Sequence, residues 1–180
     1  DDPLQTRPVT WEPVPVPVPR LVGKDGPPAE TPTRYQVAGS EAFDGGEGCW
    51  YHDGIVYFTT KGDNRVWAVD TVADTIDLIY DKASDAAFNP GIDDVDNLTI
   101  SAGGDLVVAE DGAEMRLVVI GPDVQPFELV NVLGQRDSEI TGPAFSPDGS
   151  RLYFSSQKGM TGEGTDGRTY EMRGPFFIDA

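Results

Sequence analysis

From about residue 43 onward the chain is a succession of short apolar or alternating runs separated by turn clusters. Ile55–Thr59 (IVYFT) and Arg65–Val69 (RVWAV) flank Lys61-Gly62-Asp63-Asn64, and together they read as a β-hairpin. Thr75–Tyr80 alternates apolar and polar residues and reads as the next strand. The pattern then repeats. Leu98–Ile100, the turn at Gly103-Gly104 and Asp105–Ala109 match Trp50-Tyr51, Asp53-Gly54 and Ile55–Thr59. Arg116–Ile120 and Pro126–Val130 follow as further strands. A third copy starts at Ala144–Gly149 (AFSPDG) and continues with Arg151–Ser155. Tyr57-Phe58, Val107-Val108 and Tyr153-Phe154 align at intervals of about 50 residues, the period of propeller blades of three or four strands each. No run has the length and period of a helix. The expected fold is therefore all-β, a β-propeller. Closed propellers have about four to eight blades. The three blades visible here are expected to be the later half of a six-bladed ring, with a self-associating half-propeller as the alternative.

Residues 1–42 differ. Trp11–Pro19 alternates proline with valine, and Gly26-Pro27-Pro28 and Thr31-Pro32-Thr33 follow. Proline fixes φ and removes a donor, so this stretch is expected to run extended, as an arm on the domain, an inter-blade segment or a linker. A ligand for a proline-binding module is the sharper alternative. The organisation expected is thus 1–42 as this segment and 43–180 as blades.

Composition narrows the chemistry. Lys+Arg is 13 and Asp+Glu is 31, a net charge of −18, which argues against a nucleic-acid or anionic-membrane partner. With 38% apolar residues there is enough to pack a core. Gly 21 and Pro 15 suit a turn-rich fold. A single cysteine, Cys49, and a single histidine, His52, argue against a disulfide framework, a Cys/His zinc site and a Ser-His-Asp triad within the chain. No run of about 18 apolar residues is present to span a membrane as a helix. Three blades would leave two open faces, so residues 1–180 alone are expected to be oligomeric or poorly soluble.

What the chain has in excess is carboxylate, the ligand of hard cations. Each unit opens with one: Glu47, Asp96 and Glu139. Glu110-Asp111-Gly112 closes the second strand of the middle unit. Innermost strands of a propeller line its channel, so equivalent positions converge on one axis. Converging carboxylates repel unless a cation neutralises them. Glu47, Asp96, Asn97, Asp111 and Glu139 are a suitable donor set for calcium, while ordinary turns and solvated surface are the alternative. Lys61 reads as an exposed turn residue in preference to a phosphate contact, and Arg151 and His52 as structural. Cys49 reads as a small buried hydrophobe, and Trp50, Trp67 and Tyr153 as inter-blade core. Asn97-Leu98-Thr99 matches a glycosylation sequon, and Gly159–Gly167 reads as a mobile polar loop.

The stretches FDGGEGCWYHDGIVYFTTKGDNRVWAVD, DDVDNLTISAGGDLVVAEDG, SEITGPAFSPDGSRLYFSSQKG and RTYEMRGPF occur in order and resemble the C-terminal part of the PhoX-like alkaline phosphatases of bacteria. The resemblance covers roughly residues 1–177. It implies a six-bladed propeller, exported by the twin-arginine route to the periplasm or beyond, that hydrolyses phosphate monoesters at an axial cluster of iron and calcium. Glu47 resembles the glutamate of that cluster, and Asp96, Asp111 and Glu139 resemble calcium ligands. Asn97 either ligates or caps its turn. Two departures stand out. Gly45 occupies the place of an arginine suited to gripping phosphate. The iron-binding cysteine of the family belongs to N-terminal blades that this chain lacks, and Cys49 is not its counterpart. The fragment alone is therefore expected to be inactive. Two alternatives to the phosphatase follow: a calcium-stabilised propeller with a binding or scaffolding role, and a calcium-dependent lactonase- or esterase-like hydrolase.

Overall fold

A computed structural model describes residues 6–20, 30–84, 91–112, 114–121 and 124–176. They form two compact units. One comprises Asp1–Pro8 with Asp44–Ala180, the other Val9–Phe43.

The first unit is all-β. Its strands are β1 (Arg7–Pro8), β2 (Gly46–His52), β3 (Ile55–Thr60), β4 (Arg65–Asp70), β5 (Thr75–Asp81), β6 (Val95–Ile100), β7 (Leu106–Glu110), β8 (Arg116–Gly121), β9 (Val124–Asn131), β10 (Ile140–Phe145), β11 (Arg151–Ser156) and β12 (Arg168–Arg173). They make three antiparallel sheets in chain order: β2 to β5 with β1 added at the outer edge, β6 to β9, and β10 to β12. Each is an up-and-down meander. The first strand of each leads inward, and β6 packs against β2 on one side and β10 on the other. These are three propeller blades with neighbouring innermost strands. The strand closest to the C-terminus, β12, and the full extent of β2 lie outside the runs that periodicity picks out. β12 (RTYEMR) is mostly exposed and carries little apolar signal.

Turn chemistry explains the hairpins. Asp53 (φ 44°) and Gly54 (φ 86°) form the two-residue connection between β2 and β3, where both central residues must take positive φ. His52 sits on the ladder opposite Ile55, as a turn-flanking residue.

Burial reads out the stacking order. In the middle blade β7 and β8 are buried at nearly every position, because both of their faces are covered. Leu106, Val108, Val118 and Ile120 face the first blade, with Val66, Tyr80, Ile92 and Val95. The alternating residues Val107, Ala109, Leu117 and Val119 face the third, with Ile140, Leu152 and Phe154. The flanking β11 instead alternates buried and partly exposed residues, since one face only is covered.

Several inward assignments are corrected by this stacking. Cys49 is exposed, not buried. Its ladder partner Phe58 stacks on Trp67, on the face of the first blade turned away from the second. Trp67 is buried there under the guanidinium groups of Arg7 and Arg65, not between the described blades. Trp50 is 38% exposed, and Tyr153 is half-buried and donates to Glu171 at 2.7 Å. The Gly159–Gly167 loop is tied internally: Asp166 Oδ2 accepts from the backbone N–H of Met160 and Thr161 at 3.0 and 3.1 Å.

The second unit, Val9–Phe43, holds a single-turn 3₁₀ helix at Thr33–Tyr35. Gln36 staples the proline-rich run by accepting from Val16 N–H at 2.8 Å and donating to the carbonyls of Val16 and Thr31 at 3.0 and 2.7 Å. A side-chain amide here replaces the strand pairing that proline denies. No helix among the described residues is long and apolar enough to cross a membrane.

Candidate metal centre

Each innermost strand carries a register shift: between Gly46 and Cys49 in β2, Val95 and Leu98 in β6, and Thr141 and Ala144 in β10. A bulge places two residues opposite one and re-aims their side chains. In β2 the bulge holds Glu47-Gly48, and in β6 it holds Asp96-Asn97. In β10 it holds Gly142-Pro143. Glu139 is therefore not the counterpart of Glu47 and Asp96. It stands just before β10, where its carbonyl accepts from Gln157 N–H at 3.0 Å.

The approach of the first two bulges is close. A Cβ on Gly48 would lie 2.6 Å from the Asp96 carbonyl oxygen and 2.9 Å from Asn97 Cα. Only glycine fits there. Thr59, fully buried, joins the same point: its Oγ1 accepts from Gly48 N–H at 2.8 Å and donates to the Asp96 carbonyl at 2.5 Å.

Asp96, Asp111 and Glu139 come together. One carboxylate oxygen of each lies within 4.8 Å of the others, and all three are half-buried. Two belong to the second blade and one to the third. Glu47 is exposed and stands outside this triad, although its negative charge acts on Asp96. Asn97 is used otherwise than as ligand or turn cap. Its Oδ1 accepts from Thr141 Oγ1 at 2.8 Å and Gly142 N–H at 2.7 Å, tying β6 to β10, while its Nδ2 donates to Asp96 Oδ1 at 2.6 Å. This also argues against the sequon, whose Thr99 is fully buried.

Lys61 reaches the same centre. Its ammonium pairs with Asp111 Oδ2 and lies 3.8 Å from Asp96 Oδ2. Its backbone lies in the Lys61–Asn64 turn, as the local sequence predicts, while its side chain has a second role. The signal for its second role was present: the alignment of Tyr57-Phe58 with Val107-Val108 sets Lys61 opposite Asp111, each followed by glycine.

The charges interact strongly. The hydrogen bond with Asp111, then burial, then the negative charges of Asp111 and Asp96 push Glu139 up to about 7, with Lys158 opposing. Burial works against the Asp111 charge, but hydrogen bonds with Glu139 and Lys61 hold it below the usual carboxylate range. The two carboxyls thus share a proton in the absence of a cation. Burial and then the charge of Glu47 raise Asp96, with Lys61 opposing. Burial lowers Lys61, but the hydrogen bond to Asp111 and the surrounding carboxylates outweigh it and raise the ammonium.

Glu110, adjacent to Asp111, has a different task. It is fully buried and clamped by Arg116, whose Nε and Nη2 donate to its two oxygens at 2.7 and 2.6 Å. Asp93 N–H donates to Glu110 Oε1 at 2.7 Å, and Arg116 Nη2 also reaches the Gly91 carbonyl at 2.9 Å. The bond from Asp111 N–H to the Asp94 carbonyl, at 3.0 Å, then fixes where the Asp111 side chain starts.

Three convergent carboxylates, partly desolvated and held by backbone geometry, are a donor set suited to a hard, oxygen-preferring cation.

No protein-family model matches the sequence, and no curated protein matches it. Among solved structures, the chain is similar to selenomethionine-substituted virginiamycin B lyase from Staphylococcus aureus, with 18% identity and a TM-score of 0.48 over 73% of this chain and 42% of that one. The chain thus spans less than half the length of that protein.

Proposed function

We propose that the centre binds a calcium-type cation through Asp96, Asp111 and Glu139, in a propeller that hydrolyses phosphate monoesters. The convergence of three carboxylate oxygens within 4.8 Å is the observation that supports it most. Glu47 contributes negative charge to the same region and is the residue that the family resemblance would make a bridging ligand to iron and calcium. A cation held there supplies a Lewis acid for a phosphoryl oxygen. Further blades of the same kind complete the ring, in the exported setting that the resemblance implies.

Gly45 favours a second reading, a cation-stabilised scaffold without hydrolysis. Its φ is +69°, and a Cβ there would lie 3.2 Å from Gly62 N. An arginine is thus strained at this position, and grafting one would not be a clean rescue. The nearest cationic side chain is Lys61, whose Cβ would lie 3.9 Å from a Cβ on Gly45.

Calcium binding to the chelator-treated protein with its ring of blades complete, followed by assay with p-nitrophenyl phosphate, tests both readings. Saturable calcium binding with hydrolysis supports the phosphatase, and binding without hydrolysis supports the scaffold. Glu47→Gln is expected to weaken calcium binding severalfold through lost charge. Asp53→Asn, in a turn where asparagine tolerates positive φ, is expected to leave it unchanged. No calcium binding at millimolar concentration would remove both readings.

A further inference from the structure

The first two blades follow the same ladder. Gly46 pairs with Thr60 as Val95 pairs with Glu110, and Cys49 with Phe58 as Leu98 with Val108. Lys61 and Asp111 therefore follow the second strand of successive blades at one structural station. The backbone agrees: Lys61 N–H donates to the Gly45 carbonyl at 2.8 Å, and Asp111 N–H donates to the Asp94 carbonyl at 3.0 Å. One blade places a carboxylate there and its neighbour an ammonium. That ammonium lies on Asp111 and within ion-pair distance of Asp96, two of the three carboxylates of the triad.

We propose that Lys61 is the resident counter-ion of the centre and that a divalent cation can occupy the triad only by displacing the Lys61 ammonium. The inference rests on the cation reading above and adds a gate to it. An ammonium carries three donors and no acceptor, so it cannot itself become a ligand. It is also a like charge, so its place on Asp111 and Asp96 is disfavoured beside a divalent ion. The side chain is 27% exposed, and its flexible four-carbon stem gives the ammonium a route towards solvent from the Lys61–Asn64 turn. While Lys61 occupies the carboxylates, only the fraction of molecules with the ammonium swung away is competent to bind. Apparent calcium affinity falls by that fraction.

The test uses the whole 180-residue chain, stripped with EDTA and titrated calorimetrically with calcium chloride, as wild type and as Lys61→Met. The methionine keeps the apolar stem and removes the charge. The variant is expected to bind calcium at least tenfold more tightly. In EDTA it is expected to melt at a lower temperature than the wild type, because the carboxylates lose their internal counter-ion. A second measurement needs no variant. Brief acetic anhydride labelling of the wild type, read by mass spectrometry, should modify Lys61 severalfold more at saturating calcium than in EDTA. Lys82, paired with Asp93 outside the triad, should not change. Equal or weaker calcium binding by Lys61→Met, or unchanged Lys61 labelling at saturating calcium, overturns the gate while leaving the cation site standing. If neither protein binds calcium, the cation reading falls and the gate falls with it.

Discussion

Replacing Arg116 by methionine removes the cationic partner of a carboxylate that is fully buried. In the folded protein Glu110 receives Arg116 Nε and Nη2 from the side chain, and the backbone N–H groups of Asp93 and Arg116. Only the two backbone donors survive the substitution. Breaking a buried pair from one side costs about 3–5 kcal/mol, because the remaining charge has neither water nor a counter-charge. Methionine fills much of the arginine stem's volume, so little of the loss comes from a cavity. The Gly91 carbonyl loses its donor as well. The loss should depend on pH in a definite direction. Burial already raises Glu110, with Arg116 opposing. Without the guanidinium its folded-state pKa rises further above the unfolded value. The folded variant then holds its proton more tightly, so its stability deficit shrinks at low pH and grows as pH rises. Urea unfolding at pH 5 and pH 8 measures this. The larger deficit is expected at pH 8. Because the clamp also sets the Asp111 backbone, the variant should bind calcium more weakly than the wild type. A deficit under 1 kcal/mol at pH 8, or a deficit larger at pH 5, would refute the argument.

Two further outcomes are expected. Gly48→Ala should destabilise by about 1–3 kcal/mol, since its Cβ meets the backbone of Asp96 and Asn97 and not the end of a flexible side chain; a melt within 1 °C of wild type would show that β2 and β6 part easily. In calcium-free protein, Glu139 is raised to about 7 from an ordinary value of 4.5. Its contribution to stability is thus present below about 4.5 and is lost as pH rises through about 7. The melting temperature should fall from pH 5 to pH 8 more steeply in the wild type than in Glu139→Gln, and equal slopes would exclude Glu139 as the source.

Much of the blade pattern is legible in the sequence because burial is periodic there. β3, β4, β5, β7, β8 and β11 all lie where apolar or alternating runs place them. β7 and β8 also announce that both of their faces are covered, by confining polar residues to their ends, at Glu110 and Arg116. β12 is not legible, since it has one open face and is mostly charged or polar. The carboxylates are legible as residue types, and Asp96, Asp111 and Glu139 do meet. What a linear repeat could not give is the effect of the bulges. One residue of the bulge in β6 turns to the centre and the next turns to the third blade, so Asp96 joins the triad while Asn97 ties β6 to Thr141 and Gly142. Counting carboxylates at strand starts likewise equated Glu139 with Glu47, although the β10 bulge holds glycine and proline. The local turn around Lys61 gives no sign of its contact with the carboxylates. The alignment of the repeats set it against Asp111, and that comparison carries the information.

Repetition and its breaking have separate physical effects in this centre. Repetition brings backbone stations of successive blades to one place. Side chains at those stations then decide the charge. Placing carboxylates at both stations 61 and 111 would put a further negative charge beside the triad, in a chain already at −18. An ammonium at station 61 removes that repulsion without any bound ion. It also occupies the oxygens that a bound ion would need. The stability of the ion-free blades and the affinity for a cation are thus set against each other by one residue, and changing station 61 should move them in opposite directions.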